Sequence, residues 1–158
     1  MPPTRDQAAS SHDPSRWILV ADMRSARLLH RRRPSEDGRH FEEVARLENH
    51  LFKHDRGGRP PASGARGIDY GNADRDHDVM RDQFAVEIVR WVEQCAGERR
   101  FSRVDVFVNP EMLGALRSVW PSHLAFEHHE HHADLIRLSP AELEHHQAIR
   151  QLDALAAT

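Results

Sequence analysis

Two short apolar runs place the strongest constraint on the fold of this 158-residue chain. Residues 17–21 read WILVA and residues 104–108 read VDVFV, and both are nearly all apolar. Such runs are typical of strands that are buried on both faces, as in parallel or mixed sheets covered by helices. The chain is also long enough to bury a substantial core. The sequence therefore predicts one α/β domain.

Three further segments are predicted to be strands. Residues 26–31 (ARLLHR) follow the first run after a tight turn, which is typical of an antiparallel hairpin. Residues 41–47 are predicted to be the third strand, although the sequence FEEVARLE also fits a short helix. Residues 125–131 (AFEHHEH) are predicted to be the last strand.

The helices are marked by residue spacing and by end signals. Residues 74–96 carry apolar side chains at i, i+3 and i+4 steps, and Gly97 follows as a C′ residue. The dipeptides at 109–110 (Asn-Pro) and 139–140 (Ser-Pro) predict the starts of two more helices. We attribute Gly114 to close packing of its helix on the sheet. The predicted fold class is α/β: a mixed five-stranded sheet with helices on its faces, in the order β-β-β-α-β-α-β-α.

A long connection, residues 53–73, is predicted between the third strand and the long helix. It is rich in glycine and proline, which oppose regular structure, and connections of this length in compact domains are usually functional or disordered. Its positive charges form a local cluster although the net charge of the chain is −3. The basic residues are Lys53, Arg56, Arg59 and Arg66.

The predicted domain organisation is a disordered tail at residues 1–15 and one domain at residues 16–158. The tail is polar and has no apolar core of a signal peptide, and no apolar run approaches the length of a membrane helix. The single cysteine, Cys95, excludes an internal disulfide and is predicted to be an inert core thiol. A cytoplasmic protein without a membrane partner is the simplest interpretation.

A histidine-rich segment, residues 127–134 (EHHEHHAD), is a candidate metal site. On a strand, His128, Glu130 and His132 share one face, and two imidazoles in this arrangement can bind Zn²⁺. The alternative is a solvated edge strand that binds metal only adventitiously, since a histidine-rich tract is compositional evidence. We therefore predict no resident cofactor, and weak zinc or nickel binding at this segment.

A second candidate metal site uses carboxylates. Asp22 ends the first predicted strand and Asp134 follows the last one, and two such groups can hold Mg²⁺ in a hydrolase or nuclease. In the alternative interpretation, Asp22 stabilises the turn of the hairpin. This interpretation is favoured because the sequence does not show the further carboxylates that such a metal site needs.

Four strings carry a family resemblance: WILVADMRSARLLHR, KHDRGGR, NPEMLGALR and HADLIRLSPAELEHH. Together they resemble the family of host attachment proteins, described as proteins required for attachment to host cells. The matching positions are Ala21-Asp22, Ala26-Arg27, Leu113-Gly114-Ala115-Leu116-Arg117 and Asp134-Leu135.

That family is similar to the middle domain of archaeal and eukaryotic class I translation release factors. The similarity implies an RNase H-like sheet and a loop that contacts ribosomal RNA. Release factors carry Gly-Gly-Gln in this loop, whereas here Gly57 and Gly58 are followed by Arg59, so no catalytic residue is predicted. The resemblance implies an RNA-contact loop made of Lys53, Arg56, Gly57, Gly58, Arg59 and Arg66.

The resulting functional prediction is a non-enzymatic domain that binds structured RNA or the ribosome. Two alternatives remain open at this point. One is an interaction protein in attachment-related physiology, and the other is a metal-dependent hydrolase or nuclease. The sequence does not predict an oligomeric state.

Overall fold

A computed structural model describes residues 15–31, 41–53 and 70–156 of the chain. It confirms the α/β class and the mixed five-stranded sheet, whereas the RNase H-like assignment stays a prediction. Most of the predicted tail, residues 1–14, lies outside the described residues. The elements are β1 (Arg16–Ala21), β2 (Ser25–Arg31), β3 (Phe41–Glu48), α1 (His50–Lys53), α2 (Tyr70–Arg99), β4 (Arg103–Val108), α3 (Pro110–Val119), β5 (Glu127–His132), α4 (Pro140–His145) and α5 (Gln147–Ala156).

The strands form one open sheet in the order β3-β2-β1-β4-β5. β2 pairs antiparallel with both β1 and β3, whereas β4 pairs parallel with both β1 and β5. Parallel neighbours need a crossover connection, and α2 and α3 supply the helices of the two crossovers. The last residues of β1, β4 and β5 therefore lie at one end of the sheet, which we call the carboxyl end.

The side chains of β1 alternate between two hydrophobic cores. Leu19 and Ala21 belong to the core that also contains residues of α2 and α3. Ile18 and Val20 belong to the core that contains residues of α4 and α5. All four side chains are at most 1% exposed. Burial on both faces explains why this strand reads as an unbroken apolar run.

The long helix α2 extends past the predicted limits at both ends. It begins at Tyr70, so residues 70–73 of the predicted connection are helical, and Lys53 is the last residue of α1. Neither α2 nor any other helix in the described ranges is long and apolar enough to cross a membrane.

The prediction that Gly97 is the C′ residue of α2 was wrong, because Gly97 lies inside the helix. Arg100 takes that place, with a φ of 57°. Its backbone N–H donates to the carbonyl oxygen of Ala96 at 2.8 Å. A left-handed backbone brings Cβ close to the following carbonyl oxygen, so this conformation is costly for arginine.

The last predicted helix is divided at His146. The Ser139 cap forms a capping box with Glu142, which confirms the predicted start of α4. The backbone of His146 is extended, and its Nδ1 accepts the backbone N–H of Ala148 at 3.1 Å. A side-chain acceptor satisfies one of the free N–H groups at a helix start, so His146 ends α4 and caps α5.

Arg100→Gly is expected to stabilise the protein. Glycine adopts positive φ without a steric cost, so the free energy of unfolding should rise by about 0.5–1 kcal/mol, net of the greater freedom of glycine in the unfolded chain. Urea denaturation measures the change. Arg90→Gly is the matched control, because it places glycine at an exposed position inside the same helix and should destabilise by about 1 kcal/mol. Destabilisation by both variants would contradict the expectation.

Candidate functional site

The turn between β1 and β2 forms part of the carboxyl end of the sheet. Asp22 Oδ1 accepts the backbone N–H of Arg24 at 2.7 Å and that of Ser25 at 2.9 Å. An aspartate that accepts hydrogen bonds from the residues after it forms an Asx turn, which closes a tight connection. The interpretation of Asp22 as a turn residue is confirmed.

Asn49 connects the end of β3 to this turn. It is 2% exposed, its Nδ2 donates to the Met23 carbonyl oxygen at 2.9 Å, and its backbone N–H donates to that of Arg24 at 2.8 Å. Its Oδ1 accepts the backbone N–H of Leu51 at 3.1 Å, as a cap of α1 does. Asn49 therefore fixes the point from which the chain leaves the sheet. This role of Asn49 was not predicted from the sequence, although an asparagine before a helix is a typical capping signal.

The helix that follows the connection extends past the sheet. α2 has 30 residues and β4 has six, which correspond to lengths of about 45 Å and about 20 Å. The helix runs antiparallel to β4, so its first turns lie toward the carboxyl end. Residues 75–79 are all exposed, and Phe84 is the first residue of α2 with a described side chain that is buried. The first turns of α2 therefore project beyond the cores.

A polar cluster ties this projecting part of α2 to the start of α3. His77 Nε2 lies 2.9 Å from Glu111 Oε1, and Arg81 Nη1 donates to the same oxygen at 3.3 Å and to Asp78 Oδ1 at 3.1 Å. The hydrogen bond from His77 lowers the pKa of Glu111 below its ordinary value. The ionised Glu111 lies in the first turn of α3, where the helix dipole favours negative charge.

Most of the predicted RNA-contact residues lie outside the described part of the chain. The structure does describe the two points at which residues 54–69 join the domain, namely the end of α1 and the first turn of α2. Both lie toward the carboxyl end of the sheet, where open α/β sheets bind their ligands. The predicted contact residues within 54–69 are Arg56, Gly57, Gly58, Arg59 and Arg66.

The histidine-rich segment is a strand, and its side chains alternate between the two faces of the sheet. On the α3 side, His128 stacks on Trp120 with ring centroids 4.4 Å apart, and Glu130 accepts from Arg117 Nε at 2.6 Å. His132 is exposed at the end of the strand. Burial lowers the pKa of His128, so its ring is neutral near pH 7.

The opposite face of β5 adjoins a buried carboxylate that was not predicted from the sequence. Asp105 on β4 is 1% exposed, and its Oδ1 lies 3.0 Å from His131 Nε2. Its Oδ2 accepts from Arg16 at 3.2 Å, and Arg16 also donates to Asp153, which Arg31 binds. A single acid within the apolar run VDVFV was the available signal, because buried charges are almost always paired.

The candidate metal ligands are not gathered into a site. Across residues 15–31, 41–53 and 70–156, no three His, Cys, Asp or Glu side chains form a group that could hold a metal ion. Asp22 is engaged in its turn, and Asp134 is exposed. The metal site at His128, Glu130 and His132, like weak zinc or nickel binding there, stays a prediction.

The chain matches a known family over most of its length. Residues 17–146 match the family model described as protein required for attachment to host cells. The chain belongs to this family. The match runs from the second residue of β1 to the residue after α4, so it includes the whole sheet except Arg16. No curated protein matches the chain. The predicted membership in the host attachment family is confirmed, whereas the similarity to release factors stays a prediction.

The Ala-Arg motif of this chain has a structural role. Arg27 is 5% exposed, its Nε binds Glu43, and its Nη1 donates to the carbonyl oxygens of Ile136 at 2.9 Å and Leu138 at 2.7 Å. Arg27 therefore holds the segment that follows β5 across the face of β2. This motif, one of those that contributed to the resemblance, thus belongs to the scaffold.

The prediction that Gly114 allows close packing of its helix on the sheet was wrong. The residue is exposed, and a Cβ atom at this position would meet nothing within 4 Å. Gly114 instead lines an open groove of about 460 Å³ between α2 and α3, together with Arg81 and Glu111. The neighbouring Leu113 and Leu116 are buried, so they supply the packing of this helix on the sheet.

Arg27→Ala is expected to lower the free energy of unfolding by about 3 kcal/mol, because two backbone carbonyls and Glu43 lose a buried partner. Urea denaturation measures the loss. Arg46→Ala is the control, since Arg46 binds the same carboxylate from a side chain that is 48% exposed. It should cost less than about 1 kcal/mol. Equal losses in the two variants would show that Arg27 does not anchor the segment.

His128→Phe is expected to reduce the acid sensitivity of the fold. Burial lowers the pKa of His128 in the folded state below its unfolded value, so protons bind the unfolded chain more tightly. The full stability is therefore present above the pKa that His128 has in the unfolded chain. It is lost as the pH falls from that value through the lower pKa that His128 has in the folded protein. Denaturation at pH 7 and pH 5 should show a smaller loss for His128→Phe than for the wild type. His123→Phe, at an exposed position, should lose as much as the wild type.

Proposed function

We propose that this member of the host attachment family is a non-enzymatic RNA-binding protein and that ribosomal RNA is its class of partner. The contact element is the segment 54–69 together with Lys53. One observation supports this proposal most. The segment is attached to a helix whose first turns project beyond the cores, so it can reach a surface that the body of the domain does not touch.

The distribution of charge also supports the segment 53–69 as the contact element. Between residues 53 and 69, four basic residues accompany two acids, Asp55 and Asp69, in a chain whose net charge is −3. The exposed start of α2 mixes both signs, with Asp76 and Asp78 beside Arg75. Phosphate groups attract arginine and lysine and repel carboxylates, so the segment suits RNA better than the helix does.

The chemistry of the segment favours binding over catalysis. Backbone N–H groups next to Gly57 and Gly58 could approach an RNA closely, because glycine has no side chain. Arg59 follows them where release factors carry glutamine, and a guanidinium is a permanent charge that suits phosphate contact. An RNA partner of this class also places the protein in the cytoplasm.

The family description names a process, attachment to host cells, and no chemistry. It favours a second candidate function, an interaction protein in attachment-related physiology. The two differ in the partner, since the first binds RNA and the second binds a protein or a surface component. Fractionation of cells distinguishes them, because ribosome association requires the protein to sediment with ribosomes at low salt.

The test compares two double variants in RNA binding and ribosome co-sedimentation. Arg56→Ala/Arg59→Ala should raise the dissociation constant about tenfold or more. It should also reduce the slope of log K against log salt by the amount expected for the loss of about two phosphate contacts. Arg90→Ala/Arg137→Ala removes the same charge from exposed positions elsewhere and should stay within about twofold of the wild type. Equal effects of the two variants, or no association at low salt, would overturn the proposal.

A further inference from the structure

The two edges of the sheet differ in how their backbone groups are satisfied. At the β3 edge, Arg99 Nη2 donates to the carbonyl oxygen of Val44 at 2.9 Å, and Glu144 accepts the backbone N–H of Phe41 at 2.5 Å. The pairing of β3 with β2 also shifts register between Leu28 and Leu29. Side chains over an edge and irregular pairing both prevent a further strand from adding. The β3 edge is therefore protected.

The β5 edge carries a row of open backbone groups. The N–H of Glu127 points toward β4, since it donates to the Ser102 carbonyl oxygen at 2.8 Å. Backbone groups alternate between the two edges of a strand, so those of His128, Glu130 and His132 point away from β4. Within residues 15–31, 41–53 and 70–156, no hydrogen bond reaches these outward groups. Such a row is a template for another strand.

The side chains of β5, EHHEHH, are complementary to a reversed copy of the same strand. In an antiparallel pair centred on His129, Glu127 lies opposite the partner's His131, and His128 lies opposite the partner's Glu130. His129 then faces its own copy on the symmetry axis. Each carboxylate within the overlap lies opposite an imidazole, which can donate a hydrogen bond to it whether or not the ring is protonated.

The same register satisfies the backbone. His128 and Glu130 both have outward-pointing groups, so each can exchange two hydrogen bonds with the other residue in the partner chain. The backbone groups of His129 point to β4, and in this register His129 occupies the position that needs no interchain hydrogen bond. A two-fold axis perpendicular to the sheet produces this arrangement and leaves the helix layers on matching sides.

We propose that β5 is a homodimer interface, in which two copies of the chain pair antiparallel along residues 127–131 with His129 at the two-fold axis. The two five-stranded sheets then form one continuous sheet. A second copy is the occupant because the charge pattern of the strand complements itself. This interface is separate from residues 53–69 and does not depend on RNA binding.

Cysteine substitutions report the register directly. In a non-hydrogen-bonded antiparallel pair the Cα atoms lie about 4.5 Å apart, which is within disulfide range. We expect His129→Cys to form a disulfide-linked dimer under mild oxidation. The two copies of position 132 lie about 20 Å apart in this register, so His132→Cys should not cross-link. The native Cys95 is buried and does not compete.

A mixing experiment tests the proposed pairing of unlike residues. Glu127→Cys and His131→Cys should each fail to cross-link alone, and an equimolar mixture of the two should give a heterodimer on a non-reducing gel. Cross-linking of His132→Cys as strongly as His129→Cys would assign the contact to another register or another surface.

Sedimentation velocity on the full chain measures the non-covalent dimer. His129→Glu places two carboxylates opposite each other and should weaken dimerisation about tenfold, whereas His123→Glu makes the same change at an exposed site outside β5 and should not. Glu130→Pro removes an outward-pointing N–H, a change that an edge strand tolerates. This variant should also weaken the dimer, and circular dichroism should show that its fold is intact. A wild-type chain that is monomeric at about 100 µM would overturn the proposal.

Discussion

The parallel pairing of β1 with β4 is the constraint on which the rest of the fold depends. Leu19 lies beside Val106, and Val20 lies beside Phe107, so this pair is apolar on both faces. Both faces must therefore be covered, and α2 with α3 covers one while α4 with α5 covers the other. A parallel pair also needs a long crossover between its strands. Here that crossover contains β2, β3, α1 and the whole of α2, together with the connection at residues 54–69.

Buried charges determine how the α4–α5 layer is placed on the sheet. Arg27 holds the segment after β5, and Arg16 and Arg31 both bind Asp153 on α5. Removing water from such groups is costly, so they add little net stability, whereas the loss of one partner leaves an uncompensated charge. Their effect is to connect this layer to the sheet at defined points, since Asp153 binds Arg16 and Arg31 and the segment after β5 accepts from Arg27.

The sequence predicted the parts of the fold that local signals determine. Apolar runs identified β1 and β4, and the caps at Asn109 and Ser139 gave the starts of α3 and α4 to the residue. It failed where distant contacts decide. Gly97 is a typical signal for the end of a helix. However, α2 continues to Arg99, and Phe101 is then buried with its ring centroid 4.7 Å from that of Trp17. The roles of Asn49 and Asp105 depend on partners that are distant in the sequence. Asn49 binds the turn between β1 and β2, and Asp105 binds Arg16 of β1 and His131 of β5. For the candidate site, the sequence predicted the position of the long connection. The structure shows that α2, the helix after this connection, projects beyond the cores.

That projection has a practical consequence for detecting partners. Residues 75–79 of α2 are exposed, so a partner that binds only these turns of the helix makes few contacts with the cores. Such binding is coupled only weakly to the folding of the cores. Binding raises thermal stability only to the extent that it favours the folded state. A thermal-shift screen would therefore report a small change in Tm even for a tight partner, and direct measurement of complex formation is the appropriate assay.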